Sequence, residues 1–333
     1  VSDYTGFYFI PDDDDIETDG GTWYEWFTIS PTGYSMDPDI RHPYMEQWTI
    51  GIERELFKDT SFGVTYINRK WKDIIGHYDR AADYEEVDYY SSALDQWFTL
   101  YERTYDTVED TDFYITNLTY DPETYPWILE QPVRKYQGIE VLFNKRFSNR
   151  WQLLASYVYS KATGNRDNTF GTDIAWGADP HDPNNYINAY GNLTNDPTHM
   201  IKLQGTYVLP FDISFNAYLR GITGNAWTTR VRTYAFNQGR ITFFAEPRGS
   251  NHYDMQKILD LRLEKIFTLA QKYRLGIMVD VFNVFNADTI TNWGTRIGYD
   301  WYDEPDYLPS TDGHTLYGIV RPRQARVGIR LIF

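Results

Sequence analysis

Near the end of the chain, Val327, Ile329, Leu331 and Phe333 alternate with Arg326, Gly328 and Arg330, and only Ile332 breaks the polar set. A period of two predicts a β-strand with one apolar and one polar face. The pattern recurs upstream. Leu259, Leu261, Leu263 and Phe267 alternate with Asp260, Arg262, Glu264 and Ile266, and Tyr273, Leu275, Ile277, Val279 and Val281 with Arg274, Gly276, Met278, Asp280 and Phe282. Equivalent series start near Trp48, Phe62, Ile139, Trp151, Ile201 and Ile213. The reading is about nine strands of roughly 9–14 residues, well above the ~5–6 of a globular strand and matching the ~9–11 needed to cross a bilayer.

The connections take turns between two lengths. Residues 57–60, 147–150, 209–212 and 268–272 are tight turns, whereas 76–132, 164–197, 231–252 and 286–322 are long and lack strand periodicity. One end of the sheet therefore carries short turns and the other long loops, the asymmetry of outer-membrane barrels. A soluble β-sandwich also alternates apolar and polar residues, but strands this long rarely accompany such regular loop lengths.

The two faces differ in chemistry. The polar face carries Arg262, Glu264, Arg274, Asp280, Arg326 and Arg330, which suits a wet or plugged lumen. Glu264 with Arg274 and Arg262 with Asp280 are expected as diagonal pairs there. Trp48, Trp151, Tyr157, Tyr159, Tyr207 and Tyr273 stand towards the ends of the apolar series, as in two aromatic girdles at headgroup level. General enrichment of aromatics in strands is the competing reading for each one.

Composition narrows this further. Aromatic residues make up 18% of the 333 residues, and the absence of cysteine excludes disulfide, zinc-thiolate and thiol chemistry. Mean hydropathy is -0.56, and no apolar run is long enough for a membrane helix, which leaves a barrel open because its strands are only half apolar. The net charge of -16 is local. Segments 1–43 and 76–131 hold 24 of the 47 acidic residues, as expected of solvated loops. This acidity argues against nucleic acid as a partner. No signal peptide opens the sequence, so one has been removed or the chain is a piece of a longer protein.

No catalytic constellation emerges, and the chain is read as a non-enzyme. The histidines (His42, His77, His181, His199, His252 and His314) are scattered over loops and loop ends, and Glu85 and Glu86 sit in an acidic stretch where solvation is the default. Asp15, Glu17, Asp19 and Gly20 follow the start of a calcium loop, but Trp26 stands where the bidentate Glu belongs. A structural calcium there is the one cofactor candidate, against the plainer reading of a solvated acidic run. The turn-rich stretch 178–185 is equally weak, and the sequons at Asn117 and Asn192 carry little meaning in a bacterial outer membrane.

Gly328, Leu331 and Phe333 fit the spacing glycine, two residues, apolar, one residue, terminal aromatic. This resembles the C-terminal signal read by the barrel assembly machinery of the bacterial outer membrane. More widely, "EQWTIGIERELFKDTSFGVTYINRK", "YQGIEVLFNKRFSNRWQLLASYVYSKATGN", "DPNNYINAYGNLTNDPTHMIKLQGTYVLP", "LDLRLEKIF", "DVFNVFN" and "PRQARVGIRLIF" resemble the C-terminal barrel half of TonB-dependent outer-membrane receptors. The likeness is strongest to the Oar-like branch, whose N-termini are carboxypeptidase-regulatory-like. It implies an all-β, antiparallel transmembrane β-barrel of which these strands are the C-terminal portion, within a total of about 22. It also implies a plug domain and an energy-coupling box that this chain lacks. Residues 1–43 are then an acidic extracellular loop segment, and 44–333 the C-terminal part of the barrel. The implied work is capture of an unidentified extracellular ligand by the long loops. Import through the plugged barrel follows, driven by a TonB-type energy-coupling protein. The alternatives are an outer-membrane adhesion or assembly component anchored by the barrel, or a soluble all-β binding domain.

Overall fold

The computed structural model describes residues 4–11, 21–29, 35–167, 182–194, 196–269, 273–298 and 315–332. Nine long strands carry the architecture: β1 (Tyr44–Phe57), β2 (Thr60–Lys72), β3 (Arg134–Ser148), β4 (Trp151–Gly164), β5 (His199–Leu209), β6 (Ile213–Ile222), β7 (Gln256–Leu269), β8 (Tyr273–Phe282) and β9 (Gln324–Ile332). Each pairs antiparallel with the next, so the sheet is a plain meander from β1 to β9. It is open: β1 and β9 do not pair with one another. Every residue of β1 is exposed, and in β9 only Gly328 is partly covered.

The turns are tight because the sequence supplies residues that tolerate left-handed backbone. Asn149 and Arg150 both have positive φ (52° and 70°) in the two-residue turn between Ser148 and Trp151, the conformation that matches strand twist. Asp59 (φ 63°) does the same between β1 and β2.

Register brings like residues into rows. Leu259, Leu219, Leu203, Ala155, Phe143 and Phe62 form one apolar row across six strands. On the other face, Arg326, Asp280, Arg262, Asn216, Thr206 and Gln152 lie in register. Asp280 is the hub of that row. Its carboxylate accepts from Arg262 Nε at 2.5 Å and from Arg326 Nη2 at 2.7 Å, while Thr206 Oγ1 donates to Asn216 at 2.8 Å. The pairing of Arg262 with Asp280 is thus made directly across the ladder. The expected pairing of Glu264 with Arg274 is not. Glu264 lies opposite Met278, so its diagonal neighbours on β8 are Gly276 and Asp280, and Arg274 is a further step away. Glu264 instead accepts from Arg330 Nη2 of β9 at 2.5 Å. The two side chains meet over Gly276, where an added Cβ would stand 3.1 Å from Glu264 Oε1.

Tertiary packing is concentrated in the long connections. Among the described residues they are not irregular, contrary to the reading from periodicity. Between β2 and β3, a hairpin (Tyr84–Ser91 with Gln96–Arg103) buries Phe98 and Leu100 against Val231, Phe236, Ile241 and Phe243. Those four come from a second hairpin (Arg230–Phe236 with Gly239–Phe244) between β6 and β7. Arg296–Gly298, between β8 and β9, adds to that hairpin in parallel. A second cluster joins Tyr78, Leu118 and Ile128 to Tyr186. The buried Asp79 receives Arg103 Nη1 at 3.0 Å, tying the first hairpin to Ile75–Asp79. Ser35–Met36 pairs with Phe113–Asn117, so the segment before β1 also leans on the loops. The strands turn their apolar residues outward, and the loops keep a core of their own.

Candidate functional site

The loop unit encloses a cavity of about 340 Å³, built from the connections after β4, β6 and β8. Three backbone ties shape it. Gly191–Asn192 extends the edge of β4, and Asn192 N–H donates to Arg248 O at 3.0 Å. An added Cβ on Gly191 would come within 1.9 Å of that same carbonyl, so only glycine permits the approach. Gly249 holds φ +65° and donates its N–H to Thr228 Oγ1 at 2.6 Å. Ala226–Trp227 pairs with Asn251–His252, and Tyr253 N–H donates to Asn225 O at 3.1 Å.

These ties collect aromatic rings from separate loops. Trp227 and Trp293 meet edge to face with centroids 5.3 Å apart, and Tyr253 lies 6.1 Å from the first and 5.5 Å from the second. The Tyr253 hydroxyl donates to Asn292 Oδ1 and accepts from Trp293 N–H at 3.3 Å, which clasps two loops together. Burial pushes the Tyr253 phenol above its usual pKa.

The charged members of the lining are Arg230 and Arg248, with no carboxylate among the described lining residues. Arg230 Nε and Nη2 both donate to Thr295 Oγ1, at 3.2 and 3.1 Å. Arg248 is ion-paired with Asp167 and stacks over Phe244 at 5.5 Å. Its burial pulls the guanidinium below the ordinary arginine range, and Asp167 opposes that pull. Asn225, Asn292, Thr291 and the exposed Tyr317 complete a polar rim.

Of the residues singled out from sequence as site candidates, Gly328 and Leu331 are not part of this site. Asp15, Glu17, Asp19 and Phe333 lie outside the described residues. Among the described residues, no group of three His, Cys, Asp or Glu is placed to hold a metal ion. Gly328 faces Met278, whose Cγ an added Cβ would meet at 2.9 Å, and Leu331 is exposed on the apolar face of β9. His77 is buried against Phe113, and His199 bonds the Tyr157 hydroxyl at 2.9 Å beside Tyr159. The signal that could have found the cavity is "NAWT" and "TNWG": two tryptophans set among Asn and Thr within loops, where no lipid-facing role explains them.

The family model for the outer membrane beta barrel domain matches residues 14–228, more than half of the chain. The chain belongs to the outer-membrane β-barrel family. Its apolar strand face therefore meets lipid and its long loops are extracellular; Trp151, Tyr207 and Tyr273 stand at the short-turn ends of their strands and Trp48 towards the loop end of β1, whereas Tyr157 and Tyr159 stand near the middle of β4. The barrel is 22% identical over 268 residues to the TonB-dependent transporter Oar of Myxococcus xanthus. That match covers 76% of this chain and 22% of the transporter, so the chain spans about a fifth of the relative's length. Among solved structures it is similar to the outer membrane transporter YddB from Escherichia coli, with TM-score 0.47 and 13% identity over 91% of this chain and 34% of the other. The pyoverdine receptor FpvA from Pseudomonas aeruginosa gives TM-score 0.45 and 14% identity over 99% and 33%. These relatives are transporters and receptors, not enzymes.

Proposed function

We propose that the barrel belongs to a receptor that captures an extracellular ligand in the loop cavity and imports it through the barrel with energy from a TonB-type coupling protein. The observation that carries this is the loop unit itself. Four connections spend a shared hydrophobic core on holding Trp227, Tyr253, Trp293 and Arg230 around a concave space. A barrel that only anchored the chain would need no such preorganised cavity. The name of the Myxococcus xanthus relative supports the energy-coupled reading. The exposed aromatics Tyr90 and Trp97, tilted by 48° with centroids 5.2 Å apart on the hairpin between β2 and β3, favour an adhesive partner surface as the second reading.

Gly328, Leu331 and Phe333 are the assembly signal in this account, and the free edges of β1 and β9 pair with strands of the same barrel that lie outside the chain. An unpaired edge in hydrocarbon costs several kcal/mol per backbone group. The test is growth of cells on candidate nutrients with the native receptor and with Trp293→Ala, each with and without the coupling protein. Loss of growth in both altered states supports import. Normal growth with loss of surface attachment would favour the adhesive reading.

A further inference from the structure

We propose that the outward face of the sheet, at the loop ends of β2, β3 and β4, binds the phosphorylated headgroup of an outer-leaflet glycolipid. This goes beyond the receptor reading and rests only on the chain being an outer-membrane barrel.

The site is built by register. The apolar row through Phe62 and Phe143 marks the lipid face of β2 and β3, and their ladder runs from that row to the loop end without a shift. Alternation therefore carries Val64, Tyr66, Asn68 and Lys70 onto that face of β2, and Val141, Ile139, Gln137 and Lys135 onto that of β3. Lys135 lies directly opposite Lys70. On β4, Lys161 lies opposite Gln137 and so stands diagonal to Lys135. Lys72 follows on β2. These four lysines are exposed. Residues opposite one another in a ladder have Cβ atoms about 5 Å apart, and like charges there destabilise the sheet.

Nothing in the described protein relieves this repulsion. Among the described residues, none of the four ammoniums has a hydrogen bond or ion pair. Glu46, opposite Lys70 on β1, is in register with them, so the cations outnumber the carboxylate. Lysines at the short-turn end of the same face behave differently. Lys145 donates to Arg146 O and Ser148 Oγ, and Lys265 to Phe211 O, so each folds its charge into a turn.

Height identifies the ligand. Lys70 and Lys161 stand ten residues into β2 and β4, roughly 33 Å along the strand and about 25 Å above the short-turn level for a tilt near 40°. The apolar band of such a barrel is also about 25 Å tall. The ammoniums therefore sit at the outer headgroup level. Tyr66, Ile139 and Tyr159 form one row just beneath them, on which acyl chains can lie. A lysine at that level lays its stem over apolar surface and extends its charge into the headgroups. A soluble anion would leave the row beneath unused, whereas a phosphorylated lipid engages both the row and the charges.

The experiment is native mass spectrometry of the full-length protein in detergent, titrated with bisphosphorylated lipid A and with the same lipid stripped of both phosphates. The expected result is tighter binding of the phosphorylated form by roughly fivefold or more. In the triple variant Lys70→Gln, Lys135→Gln, Lys161→Gln that preference is lost. Lys202→Gln removes a cation from the lumenal face, next to Leu203 of the apolar row, and leaves the preference intact. The three outer lysines repel one another, so the triple variant should melt no lower than the native protein in lipid-free detergent, which separates lost binding from lost folding. Equal binding of the two lipids by the native protein overturns the proposal, as does an unchanged preference in the triple variant. Displacement of bound lipid A by inorganic phosphate also overturns it, because the patch would then be a site for a free anion.

Discussion

Val279 is the position at which the facing of the sheet can be tested most sharply. It stands six residues into β8 from Tyr273, roughly 20 Å along the strand and about 15 Å above the short-turn level for a strand tilted near 40°. That places it close to mid-membrane. Its ladder neighbours are Leu263 and Val327, and Lys265, diagonal to it on the same face, turns its ammonium away to the Phe211 carbonyl. Ile277 is less clean, because it lies opposite Lys265, whose ammonium already reaches the Phe211 carbonyl in the turn. Val279→Arg should destabilise the inserted protein by roughly 2–4 kcal/mol, a shift of about 30-fold or more in the folding equilibrium. Met278→Arg places the same side chain one residue away on the lumenal face, opposite Glu264 and beside Gly328. It should cost less than about 1 kcal/mol, because water and a carboxylate receive the charge. Urea-dependent refolding of the protein into liposomes reads both. Equal cost for the two substitutions would refute the assignment of faces.

Asp280→Asn removes the carboxylate shared by Arg262 and Arg326 and should cost about 1–2 kcal/mol in the same assay, because both arginines remain partly solvated and need not stay buried unpaired. Gly191→Ala drives a Cβ into the Arg248 carbonyl and should loosen the loop unit by roughly 1–3 kcal/mol, seen as faster proteolysis of the loops on intact cells with the barrel unchanged. Tyr78 is buried in the loop core, and desolvation pushes its phenol up to about 12. A proton bound more tightly in the folded state stabilises fully below the unfolded value near 10 and is lost as pH rises through 12. The loop unit should therefore lose stability between pH 10 and 12, and Tyr78→Phe should reduce that loss as followed by near-ultraviolet circular dichroism. Deleting Phe333 should lower the amount of barrel inserted in the outer membrane far more than deleting any single loop residue.

The strands were legible because a sheet between lipid and lumen demands alternation at every position. All nine series read from sequence coincide with β1 to β9, and the turn residues Asp59, Asn149 and Arg150 mark their ends. The ion pairs were half legible. Arg262 and Asp280 follow from register alone, whereas the partner of Glu264 depends on Arg330 reaching over Gly276 from a strand far along the chain. The loop core was hidden because its strands are short. Phe98 and Leu100 in Gln96–Arg103, or Ile241 and Phe243 in Gly239–Phe244, give only two alternations each, submerged in a tyrosine-rich and acidic background. The cavity was hidden for a further reason. Trp227, Arg230, Tyr253 and Trp293 are brought together by contacts between separate loops, and no local period records such contacts.

The central claim is that the folded, acidic loops and their cavity lie outside the cell while the tight turns lie inside the envelope. Because the chain contains no cysteine, single cysteines can be placed without removing any native one. Glu85→Cys and Asp110→Cys in the loops, and Ser148→Cys and Asn149→Cys in the turn between β3 and β4, would be exposed to a membrane-impermeant maleimide on intact cells. Labelling of the first pair, with the second pair labelled only after the outer membrane is breached, is the predicted result; labelling of the turn cysteines alone on intact cells would contradict the account.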